Sequence, residues 1–198
     1  YGSDKPGVLF CGGYGEGHAE TLRTFCEAAL QRPQVAFAYA PHPGPGREGL
    51  AADRELIASL NCTNRVGVTW DAAARASEQS GQPLTIDTKL AAAASFASTS
   101  LFSTTGGQSL FIGVPHAYID GPHPCKYNIF SEYIPIVPSG SELATWIDSV
   151  NPENPEVVPF DPSQLSTVMP GLEGSSSLRI AHELLTVAQE TEEEGEEE

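Results

Sequence analysis

Val8-Leu9-Phe10-Cys11-Gly12-Gly13-Tyr14-Gly15-Glu16-Gly17 joins four consecutive apolar residues to a loop with four glycines in six positions. An apolar run this short, stopped by glycine, is the pattern of a strand buried on both faces. A helical pattern follows from about His18 to Gln31, with Leu22, Phe25, Cys26, Ala29 and Leu30 on one stripe and Pro33 closing it. Strand, glycine-rich turn and helix together make the opening half of a βαβ unit, and the rest of the chain repeats that order.

Val35 to Ala40 reads as a second strand, and Pro41-His42-Pro43-Gly44-Pro45-Gly46 as a loop, because proline can neither continue a helix nor donate to a ladder. Leu50 to Leu60 is helical, with Leu56, Ile57 and Leu60 facing in. Val66 to Trp70 reads as a third strand, and residues 76 to 83 are polar and turn-rich. An Ala-rich helix is expected from Leu84 to Phe96, and a fourth strand from Ser100 to Ser103. A Thr104-Thr105-Gly106-Gly107 turn and a brief helix from Gln108 to Ile112 come next, then a fifth strand from His116 to Ile119. Ile129 to Val137 is apolar, but Pro135 demotes it to an edge or a loop. A helix from Ser141 to Val150 has Ser139 or Ser141 as cap and Glu142 in its first turn. This alternation requires crossover connections, so the expected fold is α/β: a Rossmann-like, mainly parallel sheet with helices on both faces, in a single domain.

Ligands of an open parallel sheet bind beyond the carboxyl ends of its strands. Three loops at such ends carry chemistry. In the first, Gly12 and Gly13 let a ligand approach the backbone closely, and the following helix offers its positive end to an anion. No Gly-Lys-Ser/Thr follows, so this is not a Walker loop. Glu16 would repel phosphate unless it binds a hydroxyl or acts as a base, and His18 opens the helix. In the second loop His42 is held between two prolines, where it can bond a phosphate or act as an acid or base. In the third, Ser103, Thr104, Thr105, Gln108 and Ser109 surround Gly106-Gly107 at a helix start, an arrangement that suits an anion cradle and also an elaborate helix cap. A fourth stretch holds Asp120, His123 and Cys125. Their spacing matches no zinc pattern, so Asp120 and His123 are expected to line the cleft and no metal is expected. There is no GxSxG elbow, since Phe111 follows Ser109-Leu110.

The formal net charge is −16, from 26 acidic and 10 basic residues. Seven carboxylates fall in residues 190–198. An acidic body disfavours nucleic acid as a partner, because a phosphate backbone needs Lys and Arg to displace its counterions. Four cysteines without a CxxC pair read as free thiols and suggest a reducing, cytoplasmic setting. No signal peptide is visible, and no apolar run approaches the roughly 18 residues of a membrane span.

The order of these motifs, the Gly12-Gly13 loop, then Ala40-Pro41-His42-Pro43-Gly44, then Phe102-Ser103-Thr104-Thr105-Gly106-Gly107-Gln108-Ser109 with Gly113-Val114-Pro115 downstream, resembles the nucleotide-sugar half of two-domain GT-B glycosyltransferases and UDP-N-acetylglucosamine 2-epimerases. The resemblance covers roughly residues 7 to 150. It implies that Thr105, Gly106, Gly107 and Gln108 form the turn against the diphosphate and that His42 faces the sugar nucleotide. It implies a UDP-linked sugar as ligand, with no separate cofactor. The epimerases carry acidic residues where Ser109 and Leu110 stand here. Such enzymes also place their active site between two domains, which implies a second domain or subunit as partner. Under this reading His42 contacts phosphate or sugar, and Glu16 or His18 is the base. A non-catalytic interaction module on the same fold stays open, as does a sugar-nucleotide epimerase or phosphosugar isomerase. The expected organisation is an extension over 1–6, the nucleotide-sugar domain over 7–150, a Pro-rich irregular segment over 151–174, a helix over 175–189 and an acidic, disordered tail over 190–198.

Overall fold

The computed structural model describes residues 7–82, 85, 87–103, 105–122 and 134–153. The expectations for residues 1–6, for most of 151–174 and for the C-terminal helix and tail lie outside them, as do Thr104, His123 and Cys125. In chain order the elements are β1 (Gly7–Cys11), α1 (His18–Gln31), β2 (Ala36–Ala40), α2 (Gly46–Ser59), β3 (Val66–Val68), α3 (Thr69–Ser80), α4 (Thr88–Ala93), β4 (Ala97–Ser100), α5 (Thr105–Phe111), β5 (His116–Ile119), β6 (Ile136–Val137) and α6 (Gly140–Val150). All pairings are parallel, in the order β3-β2-β1-β4-β5-β6. The fold is therefore the α/β, Rossmann-like arrangement expected.

Strand pleating divides β1 between two cores. Val8 and Phe10 join Phe37 and Tyr39 of β2 beneath α1, α2 and α6, through Leu22, Phe25, Ile57, Leu143 and Ile147. Leu9 and Cys11 point the other way, packing with Ala38 and Ala40 against Ala91 and Ala92 of α4. Burying one large aliphatic or aromatic side chain contributes about 1.5–3 kcal/mol, so the first, larger cluster dominates the hydrophobic stabilisation. In α1 the buried stripe is Leu22, Phe25, Cys26 and Ala29. Leu30, expected on it, is 48% exposed because it lies eight residues from Leu22, about 80° off that face.

Other expectations need correction. Thr69 and Trp70 do not extend β3. They open α3, which buries only Thr69 and Ala73 and so shows little apolar periodicity. α2 begins at Gly46, earlier than Leu50. The fourth strand is Ala97–Ser100 rather than 100–103, with all four residues buried. Its register follows from Phe96 N–H donating to Gly7 O and Ser98 N–H to Pro115 O, both at 2.9 Å. Helix α5 starts at Thr105, so Thr105, Gly106 and Gly107 are helical. Pro135 precedes a two-residue edge strand, and its carbonyl accepts from Tyr118 N–H at 2.9 Å.

Cys11, Cys26 and Cys62 are buried free thiols. Burial pushes the Cys11 thiol up to about 12, which keeps it protonated. Among the described residues no helix is long and apolar enough to cross a membrane.

Candidate functional site

The strand order reverses between β1 and β4, the place in an open α/β sheet where ligands bind beyond the carboxyl ends of the strands. The β1–α1 and β2–α2 loops stand on one side of it. The β4–α5 turn and residues 120–122 stand on the other.

The glycines of the first loop have different tasks. Gly12 donates to Ala40 O at 2.8 Å, and a Cβ there would lie 2.7 Å from Tyr39 Cε2, so its amide is engaged inside the sheet and its role is close packing. Gly13 has open space around it. Gly17 has φ +85°, and a Cβ there would sit 2.5 Å from Pro122 O, so only glycine lets the start of α1 reach the loop after β5. His18 N–H donates to Gly15 O at 3.3 Å. Helix geometry supplies no acceptor for the next two amides, those of Ala19 and Glu20. Glu16 is exposed on the loop.

His18 is built into a cluster that sequence reasoning missed. Its Nε2 lies 3.0 Å from Asp53 Oδ1, and Tyr39 Oη donates to Asp53 Oδ2. Burial pushes the Asp53 carboxyl up. Hydrogen bonds from His18 and Tyr39, with the charge of His18, outweigh this and hold it below the ordinary carboxylate value. Burial and the Asp53 carboxylate both push the Tyr39 hydroxyl up. With Nε2 turned to a carboxylate, Nδ1 is left buried and without a partner. Asp53 lies 35 positions from His18, inside a helix whose polar residues read as solvent-facing, so no local signal marked it.

His42 sits in the second loop, its ring 4.6 Å from that of Tyr14 and tilted by 49°. Gly44 N–H donates to His42 Nδ1 at 3.0 Å. That bond makes Nδ1 the acceptor, so the neutral ring carries its proton on Nε2 and presents a donor.

At the β4–α5 turn Phe102 is buried with φ +39°, a left-handed conformation rare for a bulky residue. The turn brings Ser103 over the start of α5. Thr105 N–H donates to Ser103 Oγ at 3.2 Å and Gly106 N–H to Ser103 O at 3.0 Å. Two of the amides expected to face an anion are thus internal caps. Helix geometry gives the Ser109 amide its partner one turn back, at Thr105, whereas Gly107 stands in the first turn, where helix geometry supplies no acceptor. Gln108 is exposed, whereas Ser109 is 1% exposed with its Oγ buried and unpartnered, so its side chain turns inward. A Cβ on Gly106 would stand 2.9 Å from His116 Cδ2, Ile134 Cδ1 and Tyr118 Oη, so this glycine sets how closely α5 lies on β5. Beneath it His116 lies between Ser98 Oγ (2.7 Å) and Ser100 Oγ (2.9 Å), and burial lowers its pKa to about 3. Asp120 is half-buried, and one of its carboxylate oxygens accepts from Gly121 N–H at 2.9 Å.

A cavity of about 280 Å³ lies elsewhere, between the β2–β3 edge and α3, lined by Ala36, Ala38, Gly67, Ala72 and Arg75 among others. It includes none of the loop residues above.

No protein-family model and no curated protein matches the sequence. Solved structures do match. HepE of Anabaena, in complex with UDP and glucose, aligns at TM-score 0.60 and 13% identity over 92% of this chain and 49% of its own. The C-terminal CMP-Kdo binding domain of WaaA from Acinetobacter baumannii aligns at 0.52 and 14%, over 83% of this chain and 87% of its own. The UDP-GlcNAc 2-epimerase of Neisseria meningitidis, bound to UDP-GlcNAc, aligns at 0.50 and 15%, over 88% and 45%. The chain spans about half the length of several solved structures it matches, including a sucrose-phosphate synthase of Thermosynechococcus elongatus at 46%. The chain has the fold of one half of the GT-B glycosyltransferases and UDP-GlcNAc 2-epimerases.

Proposed function

We propose that this chain is a nucleotide-sugar-binding half-domain that holds a UDP-linked sugar in the β1/β4 crevice and works with a second domain or subunit. The observation that carries the reading is the reversal of strand order between β1 and β4, with a glycine-bearing turn on each side. Likeness to structures bound to UDP with glucose and to UDP-GlcNAc supports the ligand class. The amides of Gly107 on one side and of Ala19 and Glu20 on the other are the donors for the diphosphate, each at a positive helix end. Thr105, Gln108 and Asp120 frame that diphosphate, and Gly13 leaves room for the backbone to approach it.

In transfer, the bond from the anomeric carbon to the diphosphate breaks with its electron pair going to the phosphate oxygen. The acceptor oxygen bonds to that carbon and gives up its proton. Amides aimed at the leaving diphosphate stabilise the charge that develops there. His42, its Nδ1 taken by Gly44 N–H, donates through Nε2–H to phosphate or sugar. Of the two candidate bases, Glu16 is exposed on the loop and can reach an acceptor, whereas His18 has Nε2 bonded to Asp53 and Nδ1 buried. The acceptor site belongs to the second domain or subunit.

Calorimetry with UDP and UDP-glucose tests this. Binding at millimolar ligand or below is expected, and loss of it in Gly13→Asp, which puts a carboxylate in open space on the loop. Absence of heat at millimolar UDP sinks the reading. One observation favours a non-catalytic interaction module instead: Ser103 caps two of the amides that a diphosphate would need. That reading gains if deletion of residues 190–198 abolishes partner capture while nucleotide is never bound.

A further inference from the structure

We propose that Tyr14, with His42 beside it, forms the face against which the donor's sugar ring stands, so that Tyr14 sets the sugar preference; this rests on the nucleotide-sugar reading above. Tyr14 is 62% exposed, more than any other large hydrophobic residue described. A large aromatic face left in water forgoes the burial that normally places such a ring, and here a second ring stands against it. It stands between Gly13 and Gly15, both with open space around them, the latter at φ +83°. Its one described ring partner is His42. Gly44 makes that pairing possible, since a Cβ there would come within 3.0 Å of His42 Nδ1 and 3.9 Å of Tyr14 Cδ1.

The two rings offer complementary chemistry. A pyranose has a C–H face that packs on an aromatic ring and a rim of hydroxyls that need hydrogen-bond partners. Tyr14 supplies the apolar face. His42, its Nδ1 engaged by Gly44 N–H, supplies a donor at Nε2. Neither ring is an amide nest or carries a guanidinium or ammonium group, and the apolar face of Tyr14 offers a phosphate no donor, so the pair suits a neutral ring better than a phosphate.

Position separates sugar from base. The anomeric carbon must remain within reach of an acceptor carried outside this chain, so the sugar belongs at the most open part of the site. The base takes no part in transfer and needs no such access. The most exposed ring of the crevice therefore falls to the sugar.

Calorimetric affinities of the wild type, Tyr14→Ala, Tyr14→Phe and His42→Ala for UDP, UDP-glucose and UDP-N-acetylglucosamine test this. The wild type is expected to bind at least one nucleotide sugar more tightly than UDP. Tyr14→Ala should weaken that ligand by about tenfold, the scale of one aromatic contact, and leave UDP within about twofold. Tyr14→Phe should retain the preference, and His42→Ala should lose part of it. Upfield ring-current shifts of the sugar protons in the wild-type complex should vanish in Tyr14→Ala. Equal losses for UDP and the sugar nucleotides would show the ring contacting the nucleotide and overturn the proposal. So would an unchanged Tyr14→Ala, or a wild type that binds both sugar nucleotides no better than UDP. A wild type that binds UDP itself not at all overturns the nucleotide-sugar reading, a different result from any of these.

Discussion

His18, the first residue of α1, lies 3.0 Å through Nε2 from the Asp53 carboxylate in the middle of α2. The bond ties the β1–α1 loop to the helix that follows β2, with Tyr39 held in the same cluster. A partly buried carboxylate accepting two side-chain donors is worth about 1.5–3 kcal/mol. Asp53→Asn is expected to lower unfolding free energy by about 2 kcal/mol on that scale. Because the folded state holds Asp53 below its ordinary value, its contribution is present above that value and is lost as pH falls through the folded one. Urea melts at pH 7 and in the range below about pH 4 should show a wild-type advantage that shrinks with acid. An advantage that is constant with pH contradicts the assignment.

His116 gives a pH dependence in a different window. It is neutral in the fold, with a pKa of about 3 against 6.5 when exposed. The unfolded chain therefore takes up a proton below about pH 6.5 that the native state refuses, and stability falls as pH drops from there toward 3. The slope approaches about 1.4 kcal/mol per pH unit. His116→Gln should be less stable at pH 7, because Ser98 and Ser100 lose fitted partners, and should show a flatter profile between pH 6 and 4. A wild-type slope preserved in the variant would assign the titration to another group.

Two glycines of the site should respond differently to alanine. Gly106→Ala forces a methyl to within 2.9 Å of three atoms on two residues of β5 and on Ile134. Overpacking of this kind costs about 1–3 kcal/mol, more than the gain of about 1 kcal/mol from replacing glycine in a helix. Gly13→Ala meets nothing within 4 Å, so its melting temperature should stay at the wild-type value. If Gly106→Ala is neutral, α5 is free to move away from β5 and the close-packing argument fails.

Arg32, at the end of α1, makes a forked bond to Asp148 of α6, with Nε at 2.8 and 2.9 Å and one terminal nitrogen at 2.6 Å. Asp148 is 47% exposed, so solvent screens the pair. Arg32→Ala should cost about 0.5–1 kcal/mol, less in 1 M salt than in 0.1 M. A cost above 2 kcal/mol would mean that the arginine's packing, rather than its charge, holds α6 in place.

The parallel alternation and the boundaries of α1 were legible because each rests on a local signal: a short apolar run, a glycine cluster, a 3.6-residue stripe. The same holds for the Ser139 cap of α6, whose hydroxyl accepts from Glu142 N–H. α3 was not legible, since a helix burying only Thr69 and Ala73 carries no stripe. β4 was misplaced for a related reason. Ala97-Ser98-Thr99-Ser100 reads as polar, yet all four residues are buried, because His116 and Leu9 O supply hydrogen-bond partners from neighbouring strands.

The sequence alone determined which loops gather at the carboxyl ends of the strands, because chain order and strand direction suffice for that. Only the tertiary structure decided what each loop residue does there. It engages the amides of Gly12, Thr105 and Gly106 internally, turns Ser109 inward, gives His18 its Asp53 and leaves Tyr14 in the open. The partners of His18 and Gly12 lie on the next helix and the next strand, and Ser103 reaches the amides of Thr105 and Gly106 through the turn at Phe102, so these contacts act across space and leave no trace in residue spacing.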